Sequence, residues 1–297
     1  MVAIDVDKAE EVAEVLKRVE IRQDYLNPLF YPPPGDPRES QLAYFTAMVA
    51  IDHRTSTPWD AFEGEIGGRF YHGADALYRL GRILYDRGFF KAERLANLTP
   101  VDATGLLAIG EKKVWDFYTR VYLLRDLGKK VAARGGFEAL LSVDTLKKLK
   151  IELANIRAYE DPVGKKAMLL AKFLWGRKLA EFRDVEEADV AVDNHLSRVA
   201  YRLGVVDIDY GFLESGVEAT REEDVRLREV VKTGWRVVSR FVDIHPFLLD
   251  DFLWSFGRSI CRREGPQCGV CPFKDVCKAN SLSRYPPEHL HLATWYY

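Results

Sequence analysis

The chain has four cysteines, all near its C-terminus: Cys261, Cys268, Cys271 and Cys277. Their spacing is C-x6-C-x2-C-x5-C, within the run CRREGPQCGVCPFKDVC. Four soft thiolate ligands so close in sequence suit one tetrahedral metal ion or one iron–sulfur cube. Zinc ribbons instead present two C-x2-C hooks separated by a long loop. A disulfide framework needs an oxidising compartment. The N-terminal stretch MVAIDVDKAEEVAEVLKRVE is charged throughout, unlike a secretory signal. The expectation is a metal or cluster loop in a soluble, intracellular protein.

Bulk composition sets wide bounds. The 297 residues are 47% hydrophobic and 12% aromatic, enough for one large core or two modest ones. No apolar run reaches the ~18 residues of a membrane span, so no membrane partner is expected. Basic and acidic residues number 43 and 45, a net charge of −2. That balance gives no support to a nucleic-acid partner, although a local basic face is enough to neutralise a few phosphates. Asn and Gln are sparse while charged residues reach 30%, a bias shared with thermophilic proteins.

The elements that must position the cysteines read as helices nearly throughout, with weak and scattered strand signals. Leu227, Val230, Val231, Gly234 and Val238 recur at helical spacing behind a capping-box start at Thr220–Glu223. Leu196, Val199, Ala200 and Leu203 do the same after Asp193, and Asp193 suits a helix N-cap. His245-Pro246 opens a further helix through Trp254, with proline where its missing N–H costs least. The proline-rich run 31–37 reads as a linker after an amphipathic N-terminal helix, and a softer boundary falls at 184–187. Tyr71, Trp115, Phe117 and Tyr118 read as core aromatics.

The cysteine spacing, with Gly257-Arg258 ahead of it, resembles the cluster loop of the endonuclease III and MutY family of helix–hairpin–helix DNA glycosylases. That resemblance implies a [4Fe-4S] cluster on Cys261, Cys268, Cys271 and Cys277, with zinc as the alternative. It implies an all-α fold: a six-helix domain with the helix–hairpin–helix, an iron–sulfur domain, and a DNA-binding cleft between them. On this plan residues 1–37 are an N-terminal helix and linker packing on the cluster domain. Residues 38–183 are the six-helix domain, and 184–297 the cluster domain with its tail.

The family's catalytic aspartate lies in a V-D-x-H segment, matched by Val192-Asp193-Asn194-His195. Base excision passes through an oxocarbenium-like sugar, which a fixed carboxylate stabilises. The helix–hairpin–helix is matched by Ile156-Arg157-Ala158-Tyr159-Glu160-Asp161-Pro162-Val163-Gly164-Lys165-Lys166-Ala167, with Gly164 at the second hairpin glycine. Its backbone N–H groups at Val163, Gly164 and Lys165 are expected to hold a phosphate. Lys166 stands at the position of the Schiff-base lysine of bifunctional members, with Lys165 its competitor and phosphate binding the plainer role. Pro162 replaces the first hairpin glycine.

The segment ending His53-Arg54-Thr55 resembles the family's Q-x-T signature, with histidine for glutamine. The resemblance makes His53 a plug for the space left by an extruded base; the plainer roles are that it caps a helix or pairs with Asp52. His195 and the basic residues Arg258, Arg262 and Arg263 complete the expected DNA contacts, charge pairing with acidic neighbours being the duller role. The implied activity is excision of a damaged or mismatched base, a pyrimidine by preference, with strand nicking by the lysine. The partner is lesion-bearing double-stranded DNA and the protein acts as a monomer. A non-catalytic DNA scaffold and an iron–sulfur redox sensor are the rivals.

Overall fold

The computed structural model describes residues 2–21, 26–57 and 59–297. Strand β1 (Val2–Ile4) and helix α1 (Val6–Leu16) open the chain. There follow α2 (Arg38–Ala50), the hairpin β2 (Glu63–Ile66) and β3 (Arg69–His72), α3 (Gly73–Tyr85), α4 (Ala92–Ala96) and α5 (Pro100–Leu107). The short pair β4 (Ala108–Ile109) and β5 (Lys112–Lys113) precedes α6 (Phe117–Arg134), α7 (Phe137–Leu140), α8 (Leu146–Leu153) and α9 (Lys165–Gly176). Then come α10 (Asn194–Leu203), β6 (Val206–Ile208), α11 (Tyr210–Glu214), β7 (Glu218–Ala219), α12 (Arg221–Val242), α13 (Pro246–Ser259), α14 (Lys278–Ser281) and β8 (Leu290–His291). The fold is all-α, with sheet confined among the described residues to two-stranded pieces. None of the described helices is long and apolar enough to cross a membrane.

The chain divides into two bodies. The first contains residues 26–185 and, from the far end of the chain, 295–297; the second contains residues up to 21 and 186–294. In the first body α2 is the central helix, with every residue from Gln41 to Ala50 buried. A helix apolar on all sides must be enclosed on all sides, and Phe45 stacks on Phe173 of α9 at 5.1 Å. At Gly128 of α6 an added Cβ would stand 2.2 Å from the Ala96 backbone nitrogen. Only glycine permits that crossing of α4 and α6.

The proline-rich run does not act as a boundary. Arg177 donates to the Pro32 carbonyl, Gln41 Nε2 donates to the Pro34 and Asp36 carbonyls, and Tyr85 Oη donates to Asp36. These bonds hold 31–37 in the first body, so it is a structured lead into α2. Among the four aromatics read as core, Tyr118 is 66% exposed, because it lies on the outer face of α6 beside buried Phe117.

In the second body α12 begins at the expected capping box, with the Thr220 and Glu223 side chains each bonding the other's backbone N–H. Its buried stripe of Leu227, Val231, Trp235, Val238 and Val242 joins Val12, Leu16, Val199, Leu253, Phe256 and Phe273 in one core. Trp235 is fully buried; truncating such a residue to alanine costs about 3–5 kcal/mol. β1 pairs antiparallel with β6, Val2 opposite Ile208 and Ile4 opposite Val206.

Candidate active site

The first body builds its chemistry where α2 ends and α9 begins. Gly164 adopts the left-handed conformation, φ +73°, that turns the chain into α9. Its N–H donates to the Asp161 carbonyl at 3.1 Å. The buried Asp161 carboxylate accepts the Lys165 and Lys166 amides at 2.6 and 3.2 Å. Burial pushes this carboxyl's pKa up, and the two N–H bonds pull it back. The phosphate-holding role expected of the Lys165 amide is therefore already filled by a side chain, with Pro162 removing one further donor. Val163 is buried as well.

Both lysines turn inward. Lys165 Nζ donates to the Asp52 carbonyl at 2.8 Å, and Lys166 Nζ donates to the Ala50 carbonyl at 2.7 Å. Lys166 has no exposed surface. Desolvation, followed by the charge of Lys165, drives its pKa well below the usual lysine value, against the pull of Asp161. An amine so placed is held toward its neutral, nucleophilic form.

The loop 51–55 is fixed from several directions. Arg120 of α6, fully buried, donates to the carbonyls of Ile51, His53 and Arg54. Burial lowers its pKa to about 9. Tyr78 Oη donates to Asp52, the Trp115 amide donates to the Thr55 carbonyl, and the Arg54 amide donates to the Tyr297 carbonyl at 2.9 Å.

His53 is only 3% exposed, against its expected role as a plug in the base stack. Its Nε2 stands 3.6 Å from Asp116 Oδ2, and neither ring nitrogen has a hydrogen-bond partner. Burial, then the charges of Arg120, Lys166 and Lys165, lowers its pKa and keeps the ring neutral. Asp52 is held by Tyr78, so the alternative pairing with His53 is not formed. Asp52, Arg54 and Thr55 are the half-exposed members of this loop.

In the second body Asp193 caps α10, its Oδ1 accepting the Leu196 amide at 2.9 Å. Capping uses one carboxylate oxygen of two, and Asp193 is half-exposed. His195 Nδ1 accepts from Arg198 at 2.9 Å, since guanidinium can only donate. Burial lowers the His195 pKa, so it serves as an uncharged acceptor.

Arg198 and Arg202 project from one face of α10 onto the cysteine loop. Arg198 donates to the Gly257 and Cys261 carbonyls and pairs with buried Glu288 at 2.8 Å. Arg202 donates to the Arg262, Arg263, Tyr285 and Pro286 carbonyls and approaches Cys261 Sγ at 3.6 Å. Gly257 lets α13 approach this helix, for an added Cβ would lie 2.9 Å from His195 Cβ.

The four thiols are half-buried. Burial pushes the Cys271 thiol up to about 11, against the pull of a backbone hydrogen bond from Phe273 and with a smaller push from Cys261, Cys277 and Cys268. Four thiols within one short loop supply the soft donors that a metal ion or an iron–sulfur cluster takes. Among the described residues no group of three or more His, Cys, Asp or Glu is arranged to hold a metal ion. The fit to a cluster rests on donor chemistry and spacing.

Arg262 donates to the Gly265 carbonyl, Arg263 pairs with Glu288 at 3.0 Å, and Arg258 lies 4.2 Å over the Trp254 ring. Arg262 and Arg263 remain exposed.

No family model matches the chain. The endonuclease III of Bacillus subtilis (strain 168) is 34% identical over 89 residues, which is 30% of this chain and 32% of that protein. That match bears out the resemblance to endonuclease III. The matched stretch spans about a third of the relative's length.

Among solved structures, a trapped endonuclease III–DNA covalent intermediate aligns over 94% of both chains, at 15% identity and a TM-score of 0.49. A thermostable thymine-DNA glycosylase aligns at 16% identity and 0.49, over 94% of this chain and all of that one. The 8-oxoguanine DNA glycosylase of Pyrobaculum aerophilum aligns at 17% and 0.47, over 97% of this chain and all of that one.

Sequence reasoning missed Arg120, Asp161 and the terminal residues 295–297. Asp161-Pro162 ahead of a helix carries a capping signal. Nothing local marks Arg120 or the tail, because their partners lie far away in sequence.

Proposed function

We propose that this chain is a base-excision DNA glycosylase of the endonuclease III kind, with Lys166 as nucleophile, and thus also a lyase. The observation that carries this reading is the buried Lys166 amine, held toward neutrality at the turn between the hairpin and α9. Burying a lysine without a paired carboxylate on its amine is costly, and structural demand alone would favour an apolar residue. As a nucleophile, the lone pair of Nζ attacks C1′ of the damaged nucleotide. The C1′–N bond breaks and the base leaves with its electron pair, taking up a proton. The aminal so formed opens as its C1′–O4′ bond breaks, the nitrogen losing a proton and O4′ taking one up, to give a Schiff base. This acidifies C2′, and loss of a C2′ proton with β-elimination breaks the C3′–O bond. The enclosed amine must first exchange its Ala50 carbonyl for substrate.

Asp193 supplies the carboxylate that balances the cationic sugar. What supports it is the V-D-x-H segment and a cap that occupies one oxygen. Cys261, Cys268, Cys271 and Cys277 would hold a [4Fe-4S] cluster, whose contribution when bound is to order the loop carrying Arg262 and Arg263. Those two arginines, Arg258, Arg54 and Thr55 are the DNA-facing set. His53 supports the 51–55 loop from beneath. The lysine favours an oxidised pyrimidine, with a mismatched pyrimidine second.

The test is base release and strand nicking on duplexes with one thymine glycol, one uracil or thymine opposite guanine, or one oxidised guanine. Lys166→Gln should lose nicking of the excised lesion. Wild-type protein that releases no base from any duplex would contradict the reading.

A further inference from the structure

We propose that the triplet Trp295-Tyr296-Tyr297 is a positioning latch for the Lys166 site, and that excision of an intact base depends on it. The inference rests on the glycosylase reading given above. These three residues belong to the first body although the chain before them belongs to the second. Tyr296 and Tyr297 are 8% and 4% exposed. Their rings meet edge to face at 5.9 Å, and Trp295 meets Tyr296 likewise at 5.5 Å. A tripeptide packed this way is an ordered element, since frayed ends are neither buried nor bonded.

Two of its bonds reach the segments on either side of the lysine. The Tyr297 carbonyl accepts the Arg54 amide at 2.9 Å, and Trp295 Nε1 donates to the Arg157 carbonyl at 3.1 Å. Arg54 lies in the loop that follows the Ala50 carbonyl, where the Lys166 amine rests. Arg157 begins the short 3₁₀ turn Arg157–Tyr159, just ahead of the Asp161–Gly164 hairpin that launches α9.

Within the first body, the loop is otherwise held by residues of its own contiguous stretch: Arg120, Tyr78, Trp115 and Lys165. The latch is the one contribution from elsewhere in the chain among these bonds. It joins the two loops to each other, so it controls their spacing. Excision of an intact base needs that spacing, because base and sugar must both be seated. Attack on a preformed abasic sugar has no base to seat and depends on it less.

Two readouts test the latch in a protein lacking residues 295–297. Hydrogen exchange of peptides covering 51–56 and 157–164 should rise, with the rest of the first body unchanged. Excision kcat/KM on the best lesion duplex should fall by about tenfold to a hundredfold, the cost of a small misplacement. Borohydride trapping on a preformed abasic-site duplex should stay within about twofold over the same range. Trp295→Phe, which keeps a ring and removes the donor, should show the same selectivity to a smaller degree.

Unchanged exchange at 51–56 would overturn the proposal. So would an equal loss of excision and trapping, accompanied by a lower Tm in both variants. Should the wild type excise no base at all, the functional reading fails by itself, and the exchange result still decides whether the latch exists.

Discussion

At the scale of single residues, Asp193 and Lys166 separate structural from chemical roles through different substitutions. Asparagine is as good an N-cap as aspartate. Asp193→Asn should therefore keep the α10 cap and a Tm close to wild type, while excision falls by about 10²–10³, the loss typical of a removed electrostatic stabiliser. Equal activity in the two proteins would leave Asp193 a cap only.

Lys166 makes the opposite prediction for stability. Its folded pKa is depressed, so at neutral pH the unfolded state binds the proton more tightly and the amine opposes folding. Stability from this group is lowest at low pH and rises with pH between its depressed value and the ordinary value near 10.4. Lys166→Met should raise stability by about 1 kcal/mol at pH 7, with the gain shrinking toward pH 10. Denaturant melts at the two pH values measure it; a destabilised variant would contradict the assigned burial. Both side chains were legible as candidates because motif spacing marks type and position. The burial of His53 was not legible, since it depends on Arg120 and Asp116, distant in sequence.

At the scale of elements, α10 is the organising piece of the second body. It carries Asp193 at its start and Arg198 and Arg202 on the face toward the cysteine loop. Arg202→Ala would leave the carbonyls of Arg262, Arg263, Tyr285 and Pro286 without this donor. Buried unpaired polar groups cost about 1–3 kcal/mol each, so the loop should loosen as a unit. With the proposed cluster on this loop, iron content and visible absorbance of the purified variant should fall below half of wild type, with Arg202→Lys intermediate; full iron occupancy would contradict this. The helix starts at Thr220, Asp193 and His245-Pro246 were readable because caps are local. That Asp161 folds back onto the α9 start was not readable, because a general hairpin pattern does not show which side chain accepts its amides.

At the scale of the whole molecule, four histidines in two bodies share one behaviour. Burial is the first cause of lowered pKa values at His53, His195 and His289, and of a value of about 4 at His291. A group depressed in the folded state favours folding only while neutral. This stability is fully present above the ordinary histidine value near 6.5 and is lost as pH falls through the depressed values. The Tm should drop between pH 7.5 and 5, and His53→Gln should blunt part of that drop; a flat profile would refute the sign.

The all-α class and the cysteine loop were legible from periodicity and spacing. The pairing of β1 with β6 and the return of 295–297 to the first body were not, for both join residues across most of the chain.

The central claim is that the Lys166 amine forms the covalent bond to DNA. Its most direct test is to reduce the enzyme–DNA complex with borohydride on an abasic-site duplex, digest it, and locate the adduct by mass spectrometry. The account predicts one adduct, on Nζ of Lys166. An adduct on Lys165, or no adduct from a protein that still releases base, would contradict it.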